Sequence, residues 1–434
     1  VMAAVTVLKD QNDDHHLKVN NHFQMGGTTS AASDRRQAHI PLLLHPRPTR
    51  ALFLGVGAGG TMAAAVDHLN LRADGVELLP EIVPLLPDFE KATGKITDHP
   101  RLSISVADAR RFVTARSSTY DVIVADLFHP ARDGAGSLYT VEHFDAVRAL
   151  LRPRGLFCQW LPLYQLDLDM LRIIVKSYLK VFPDATAYVA NYSLTSPMIA
   201  LVSTGRTYPY DWLEVRVKDL DLRKSLQKLE LFDEFALFGC FVADHDDLAA
   251  FSGTSPVNTD QYPHVMFGAP KFTYGNPEPA HERLLAFLAA VSPQPEAVLN
   301  QAVSNEDEQV LARLAAYWKA RDQFLKVGVG ARRSTDVRRM VAMVRNPLLQ
   351  VVRISPDFAP AYDPFLMMAG QLHRLDPVAA QKLLCDLEKA NPQRKEAQQL
   401  RKYLLRLSPH RADPDVSTLE ADADSGISAQ DCPN

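Results

Sequence analysis

The chain has 434 residues, 47% of them hydrophobic and 23% charged, and a formal net charge of −4. That length holds two or three domains with cores of their own. A balance this close to neutral carries no electrostatic footprint for nucleic acid, and no apolar run reaches the ~20 residues that span a bilayer.

The chain begins "VMAAVTVLKD", in strand rhythm and without an initiator methionine. Processing explains such a start, and truncation of a longer protein explains it at least as well; no signal peptide is visible. The expected location is cytoplasmic, or the cytoplasmic face of a membrane if a membrane region was removed ahead of Val1. Segments "MAAVTVLKD" and "HHLKVNNHFQM" flank the polar "QNDD", which predicts a β-hairpin domain over 1–48. His15 and His16 are adjacent on a strand and face opposite sides, so they are not expected to share a metal.

Over 49–204 the strands "ALFLG", "ADGVEL", "LSISV", "DVIVAD", "GLFCQWL", "TAYVA" and "MIALVS" alternate with helical segments such as "VEHFDAVRALL" and "DLDMLRIIVKSYLKVF". This rhythm predicts an α/β domain with a Rossmann-like, parallel sheet covered on both faces. The short "NYSLTSP" joins the last two strands and allows an antiparallel pair at one edge. Residues 205–277 read as a mixed, loop-rich extension. Residues 278–408 read as helical, and the offset from Pro356 to Pro392 is close to the ~34-residue period of tetratricopeptide repeats. The tail, 409–434, is polar and acidic and is expected to be disordered. The cysteines Cys158, Cys240, Cys385 and Cys432 lack metal or redox spacing, so free thiols in a reducing compartment are expected.

The stretch "ALFLGVGAGGTMAAAVDHL" is the first with chemical content. An apolar strand breaks into Gly55, Gly57, Gly59 and Gly60, and a helical segment follows. Glycines at such a junction let a backbone approach a ligand, and a helix N-terminus offers free N–H groups. Glu77 lies 20 residues beyond Gly57, at the end of the next strand, where an acid accepts hydrogen bonds from ribose hydroxyls. Asp108, with Ala109 beside it, follows the third strand and suits an adenine amino group. Asp126 ends the fourth strand. Ligands of open α/β sheets bind at the carboxyl ends of strands, so these residues should meet in one crevice. The order points to the S-adenosylmethionine-binding fold of class I methyltransferases rather than to a dinucleotide fold.

From about residue 1 to 204 the chain resembles the spermidine synthases, the polyamine aminopropyltransferases. The resemblance rests on "VNNHFQ", "AHIPLLLHPRPTRALFLGVGAGG", "DGVELLPEIV", "HPRLSISVADARRFV" and "YDVIVADLFHPARDGAGSLYTVEHFDAVRALLRPRGLFCQ". It implies that Gln24 touches the nucleoside and that Glu77 and Asp108 hold ribose and adenine. It also implies that Gln159 ends the fifth strand of the site and that Asp126 is the general base. The later "NTDQYPHVMFGAPKFTY" is similar to a segment of bacterial spermidine synthase-like proteins with extra domains. Three positions depart from the family. Ala58 stands where the loop usually carries an aspartate that holds the amino group of the aminopropyl moiety. Ser33 and Asp34 fall where a tyrosine–histidine pair lines the amine channel. His129 replaces the second acid of the catalytic loop.

The resemblance implies transfer of an aminopropyl group from decarboxylated S-adenosylmethionine to a small amine, without a metal. His129 is expected to share the proton with Asp126. Tyr139 and Tyr164 are expected to wall the channel, and Asp260 is a weaker candidate for the missing amine ligand. Two alternatives stay open. One is methyl or 3-amino-3-carboxypropyl transfer from intact S-adenosylmethionine, since Ala58 removes a like charge from beside the methionine carboxylate. The other is a non-catalytic nucleoside-binding scaffold. The expected partners are the small amine and a protein docked on the helical region, with a homodimer left open and nucleic acid excluded.

Overall fold

A computed structural model describes residues 3–20, 23–132, 134–203, 220–275, 278–299, 305–331 and 334–407. The tail assigned to disorder lies outside the described residues. The chain divides into two compact units, Val1–Leu311 and Ala312–Asn434. No helix among the described residues is long and apolar enough to cross a membrane.

The first unit opens with a three-stranded antiparallel sheet of β1 (Val5–Lys9), β2 (His15–Val19) and β3 (Phe23–Gly27). "QNDD" turns the chain between β1 and β2 because Asp10 Oδ1 accepts the N–H groups of Asn12 and Asp14, at 2.8 and 3.0 Å, a side-chain mimic of a backbone turn. Helix α1 (Ala31–Leu44) leads into the main sheet.

That sheet has eight strands: β4 (Arg50–Leu54), β5 (Arg72–Glu77), β6 (Leu102–Val106), β7 (Tyr120–Ala125), β8 (Leu151–Pro162), β9 (Thr186–Val189), β10 (Met198–Val202) and β11 (Phe241–Ala243). Their order is β11-β9-β10-β8-β7-β4-β5-β6. The run β6-β5-β4-β7-β8 is parallel, and β10, β9 and β11 each pair antiparallel. Residues 51–54 and all of β7 are buried, as their unbroken apolar runs require of strands covered on both faces. The short link after β9 does make an antiparallel pair with β10. The pair is not the edge, however, because β11 adds beyond β9.

Helices α2 (Gly60–Ala63), α3 (Glu90–Thr93), α4 (Ala109–Ala115), α5 (Val141–Ala149) and α6 (Leu168–Val181) connect the strands. Asp108, Thr140 and Asp167 cap α4, α5 and α6 through their side chains, each satisfying a free N–H of a first turn. Phe144, Phe157, Tyr178 and Phe182 form one aromatic cluster with centroids 4.9–6.0 Å apart.

Arg36 of α1 is buried. Its guanidinium donates to the carbonyls of Ala190, Leu229 and Glu230 and to Cys240 Sγ, tying α1 to the chain flanking β9 and β11. Arg36→Met keeps the stem and removes every donor. Each buried acceptor left open costs about 1–3 kcal/mol, so we expect a loss of roughly 3 kcal/mol in urea unfolding. An unchanged midpoint would show that these carbonyls find water instead.

Two readings of the later chain need correction. The stretch "PHVMFGAPKFTY", read as part of a loop-rich extension, contains helix His264–Thr273. Gly268 packs directly on Met170 of α6, where an added Cβ would displace the thioether end of that side chain. Asn258 anchors the segment. Its side chain donates to Gly136 O and accepts from Val265 N, and its main chain bonds Ser177 Oγ and Val141 N. Helix Ala280–Ala289 belongs to the first unit, not to a helical region starting at 278. Its buried Arg283 donates to Leu163 O at 2.7 Å.

Helix Asn305–Gly330 runs across the boundary between the units. The second unit is helical, with helices Val337–Ile354, Ala359–His373, Pro377–Ala390 and Glu396–Leu407. Ala361 and Ala397, at matching distances from Pro356 and Pro392, are both fully buried. Asn391 Nδ2 donates to Pro356 O and Ala397 N to the Tyr362 hydroxyl. Cys158 and Cys240 are free, as expected, whereas Cys385 is disulfide-bonded. Pairing depends on distance in the fold, which sequence spacing does not report.

Candidate active site

The parallel registers place Leu54 beside Val76 and Ala125, Glu77 beside Val106, and Ala125 beside Gln159. Gly55, Glu77 and Asp126 therefore stand in one row at the carboxyl ends of β4, β5 and β7, with Asp108 just past β6.

The glycine loop is folded against β3. Ala58 N donates to Met25 O at 3.2 Å, and Gly57 has φ +52° with room for no Cβ, since one would sit 2.7 Å from Met25 O. Glu77, 4% exposed, holds the loop from the other side. Its Oε2 accepts from Val56 N and Gly57 N, and its Oε1 from Leu79 N. A carboxylate has about four lone-pair sites. Three are in use, so Glu77 keeps one acceptor site open and shapes the loop with the rest. Asp108 is exposed and caps α4 at Arg111 N, with Ala109 next to it.

Asp126 Oδ2 accepts from Thr61 Oγ1 at 3.0 Å and Oδ1 from Leu127 N at 2.8 Å. That leaves about two acceptor sites. Burial pushes its pKa up to about 6, with the Glu77 charge adding to the rise. Asp34, from the first turn of α1, enters the same space. Its Oδ2 accepts from Ser30 Oγ at 2.9 Å, and burial together with the charge on Asp126 raises it to about 8. The Tyr164 hydroxyl is raised to about 12 by burial and by both carboxylates.

Other predicted residues are placed differently. His129 is buried, with Nε2 on Gln24 O at 3.3 Å and Nδ1 on Gln165 Nε2. Burial lowers its pKa. The ring is thus a neutral bracket between β3 and the chain after β8, with both nitrogens engaged, and is not poised to share a proton. Tyr139 is fully buried and its hydroxyl donates to Phe128 O at 2.8 Å, so it packs beneath the catalytic loop instead of walling a channel. Gln159 is fully buried in β8, its amide donating to Trp160 O, because a strand interior in this sheet has no open face. The Gln24 side chain is exposed and its amide approaches His16 Nδ1 at 3.4 Å. It is the Gln24 carbonyl that faces His129. Asp260 forms a close ion pair with Arg110, which removes it as an amine ligand. Asp34 stood in the sequence only as a departure from the expected channel pair, because neither spacing nor strand order brings a residue of this segment to the site. The one available signal was its position upstream of "HIPLLLHP", where the resemblance expects a channel residue.

Residues 32–206 match the family described as Spermine/spermidine synthase domain. The chain is 31% identical over 203 residues to a polyamine aminopropyltransferase of Thermotoga neapolitana, covering 45% of this chain and 66% of that protein. It is 30% identical over 257 residues to polyamine aminopropyltransferase 2 of Pseudomonas aeruginosa, covering 55% and 72%. Across three Thermotoga relatives the match spans 52–66% of their length. A solved spermidine synthase in complex with the transition-state analogue AdoDATO aligns at TM-score 0.48 and 21% identity, over 55% of this chain and 81% of that one. The family match over the sheet domain and the coverage of the Pseudomonas relative together place this chain in the spermine/spermidine synthase family of polyamine aminopropyltransferases.

Proposed function

We propose that the chain transfers an aminopropyl group from decarboxylated S-adenosylmethionine to a small primary amine, with Asp126 as general base. The observation that carries this reading is Asp126 itself: a half-buried strand-end carboxylate with two open acceptor sites, in one row with the glycine loop and Glu77. The amine nitrogen attacks the propyl carbon bonded to the sulfonium. Asp126 takes the proton that frees this nitrogen from its ammonium form, the C–S bond breaks with its electron pair staying on sulfur as neutral methylthioadenosine, and the product nitrogen keeps its positive charge beside the carboxyl. The leaving group is neutral, so the protein's task is alignment and proton acceptance. Glu77 and the loop hold the nucleoside, and Asp108 faces the adenine. The second, helical unit takes no part in this step and is a candidate surface for a protein partner.

The experiment supplies decarboxylated and intact S-adenosylmethionine separately, with a panel of amines, and reads products by mass spectrometry. Methylthioadenosine from the decarboxylated donor supports the proposal. S-adenosylhomocysteine from the intact donor would replace it with methyl transfer.

The pH dependence follows from Asp126. It is a base only when ionised, so its limb of kcat/KM falls about tenfold per pH unit below about 6. Burial sets this value first, the Leu127 N–H and the Thr61 hydroxyl oppose it, and the Glu77 charge adds to the rise. An acid limb centred near 4 would mean that Asp126 is not the titrating base.

A further inference from the structure

We propose that Asp34 supplies the carboxylate that position 58 lacks. It holds the ammonium of the donor's aminopropyl arm between α1 and the glycine loop, and so selects the decarboxylated donor over the intact one. This rests on the aminopropyl-transfer reading and adds the residue that sets donor choice.

Two glycines keep the space open. A Cβ at Gly60 would lie 2.7 Å from Asp34 Cβ and 2.8 Å from its Oδ2. A Cβ at Gly26 would lie 3.1 Å from Ala58 Cβ and 3.6 Å from Asp34 Oδ2. Ala58 and the Asp34 carboxylate thus border one small volume. The residue after Gly60 is Thr61, which binds Asp126, so both acids look onto the same end of the loop.

No ion pair reaches Asp34 or Asp126 among the described residues. The neighbouring cation, Arg35, is turned to Asp67, and Arg36 donates to carbonyls. Both carboxylates are half-buried, and charge held partly out of water without a protein cation is costly unless a ligand supplies one. A second observation points the same way. The Tyr164 hydroxyl stands in the field of both carboxylates, which places its oxygen on the same space as a third acceptor. An ammonium satisfies this set of acceptors and an added carboxylate opposes it. The absence of an acid at position 58 therefore does not make room for the intact donor, because α1 restores the charge.

The test is titration calorimetry on the full chain with three thioethers: methylthioadenosine, S-adenosyl-3-thiopropylamine, which adds the ammonium, and S-adenosylhomocysteine, which adds a carboxylate as well. Wild type should bind the thiopropylamine at least about tenfold more tightly than S-adenosylhomocysteine. At pH 7 its binding should release about one proton, because Asp34 must ionise. Asp34→Asn should weaken the thiopropylamine about 10- to 100-fold, abolish the proton release and leave methylthioadenosine within about twofold. Asp34→Ser should do the same should the amide variant fold poorly, and adding Ala58→Asp to either should restore the preference. Equal weakening of methylthioadenosine and thiopropylamine, or an intact preference in both variants, would overturn the role of Asp34 while leaving the nucleoside site in place. Wild type that binds neither compound would overturn the reading of the site as well.

Discussion

Asp126→Asn lowers turnover with the identified amine by at least about 10²-fold, the lower range of acid–base assistance, while affinity for methylthioadenosine changes little. The asparagine keeps the shape of the strand end, and its carbonyl can still accept from Thr61. What it loses is the charge that accepts the proton and stabilises the new ammonium. The side chain is half-buried, with its pKa lifted to about 6 chiefly by that burial, so the lost charge acts in a medium less polar than water. His129 offers no substitute, since both its ring nitrogens are engaged. The check is a single-turnover rate beside a calorimetric affinity. A variant that turns over within about threefold of wild type would remove Asp126 as the base. An equal fall in nucleoside affinity would make it a structural residue of the loop.

Glu77→Ala is expected to act twice. It leaves the buried N–H groups of Val56, Gly57 and Leu79 without their acceptor, at about 1–3 kcal/mol for each that finds no water. It also removes the acceptor proposed for the ribose. We expect a loss of roughly 3 kcal/mol in stability and at least about tenfold in methylthioadenosine affinity, measured well below the melting temperature. Glu77→Gln separates the effects. Its one oxygen can serve Oε2's two donors, so stability should recover in part while the contact to ribose stays weak. Unchanged affinity in both variants would restrict Glu77 to holding the loop.

The sheet was legible in the sequence because its strands are unbroken apolar runs separated by amphipathic helices, and seven of them, β4 to β10, were named with their approximate bounds. The row formed by Gly55, Glu77 and Asp126 was legible for the same reason, since parallel strands of similar length end at one level. What periodicity does not carry is which short apolar pieces join the sheet. "FVA" became β11 only because β9 offered it an open edge, and "HVMFGAPKFT" became a helix because Gly268 fits the surface of Met170.

Residue roles divide along the same line. Sequence position by itself determined that an acid ends β5 and another follows β7, and hence where a nucleoside and a base are to be sought. Only the tertiary structure decided what those groups have left to offer. It binds most of Glu77's acceptor sites to the loop, closes both nitrogens of His129 and buries Tyr139 and Gln159. It also carries Asp34 from a helix start to the side of Ala58. The physical reason is that a side chain's chemistry depends on which of its hydrogen-bonding sites are filled and how far it is from water, and both are set by contacts between segments distant in the chain.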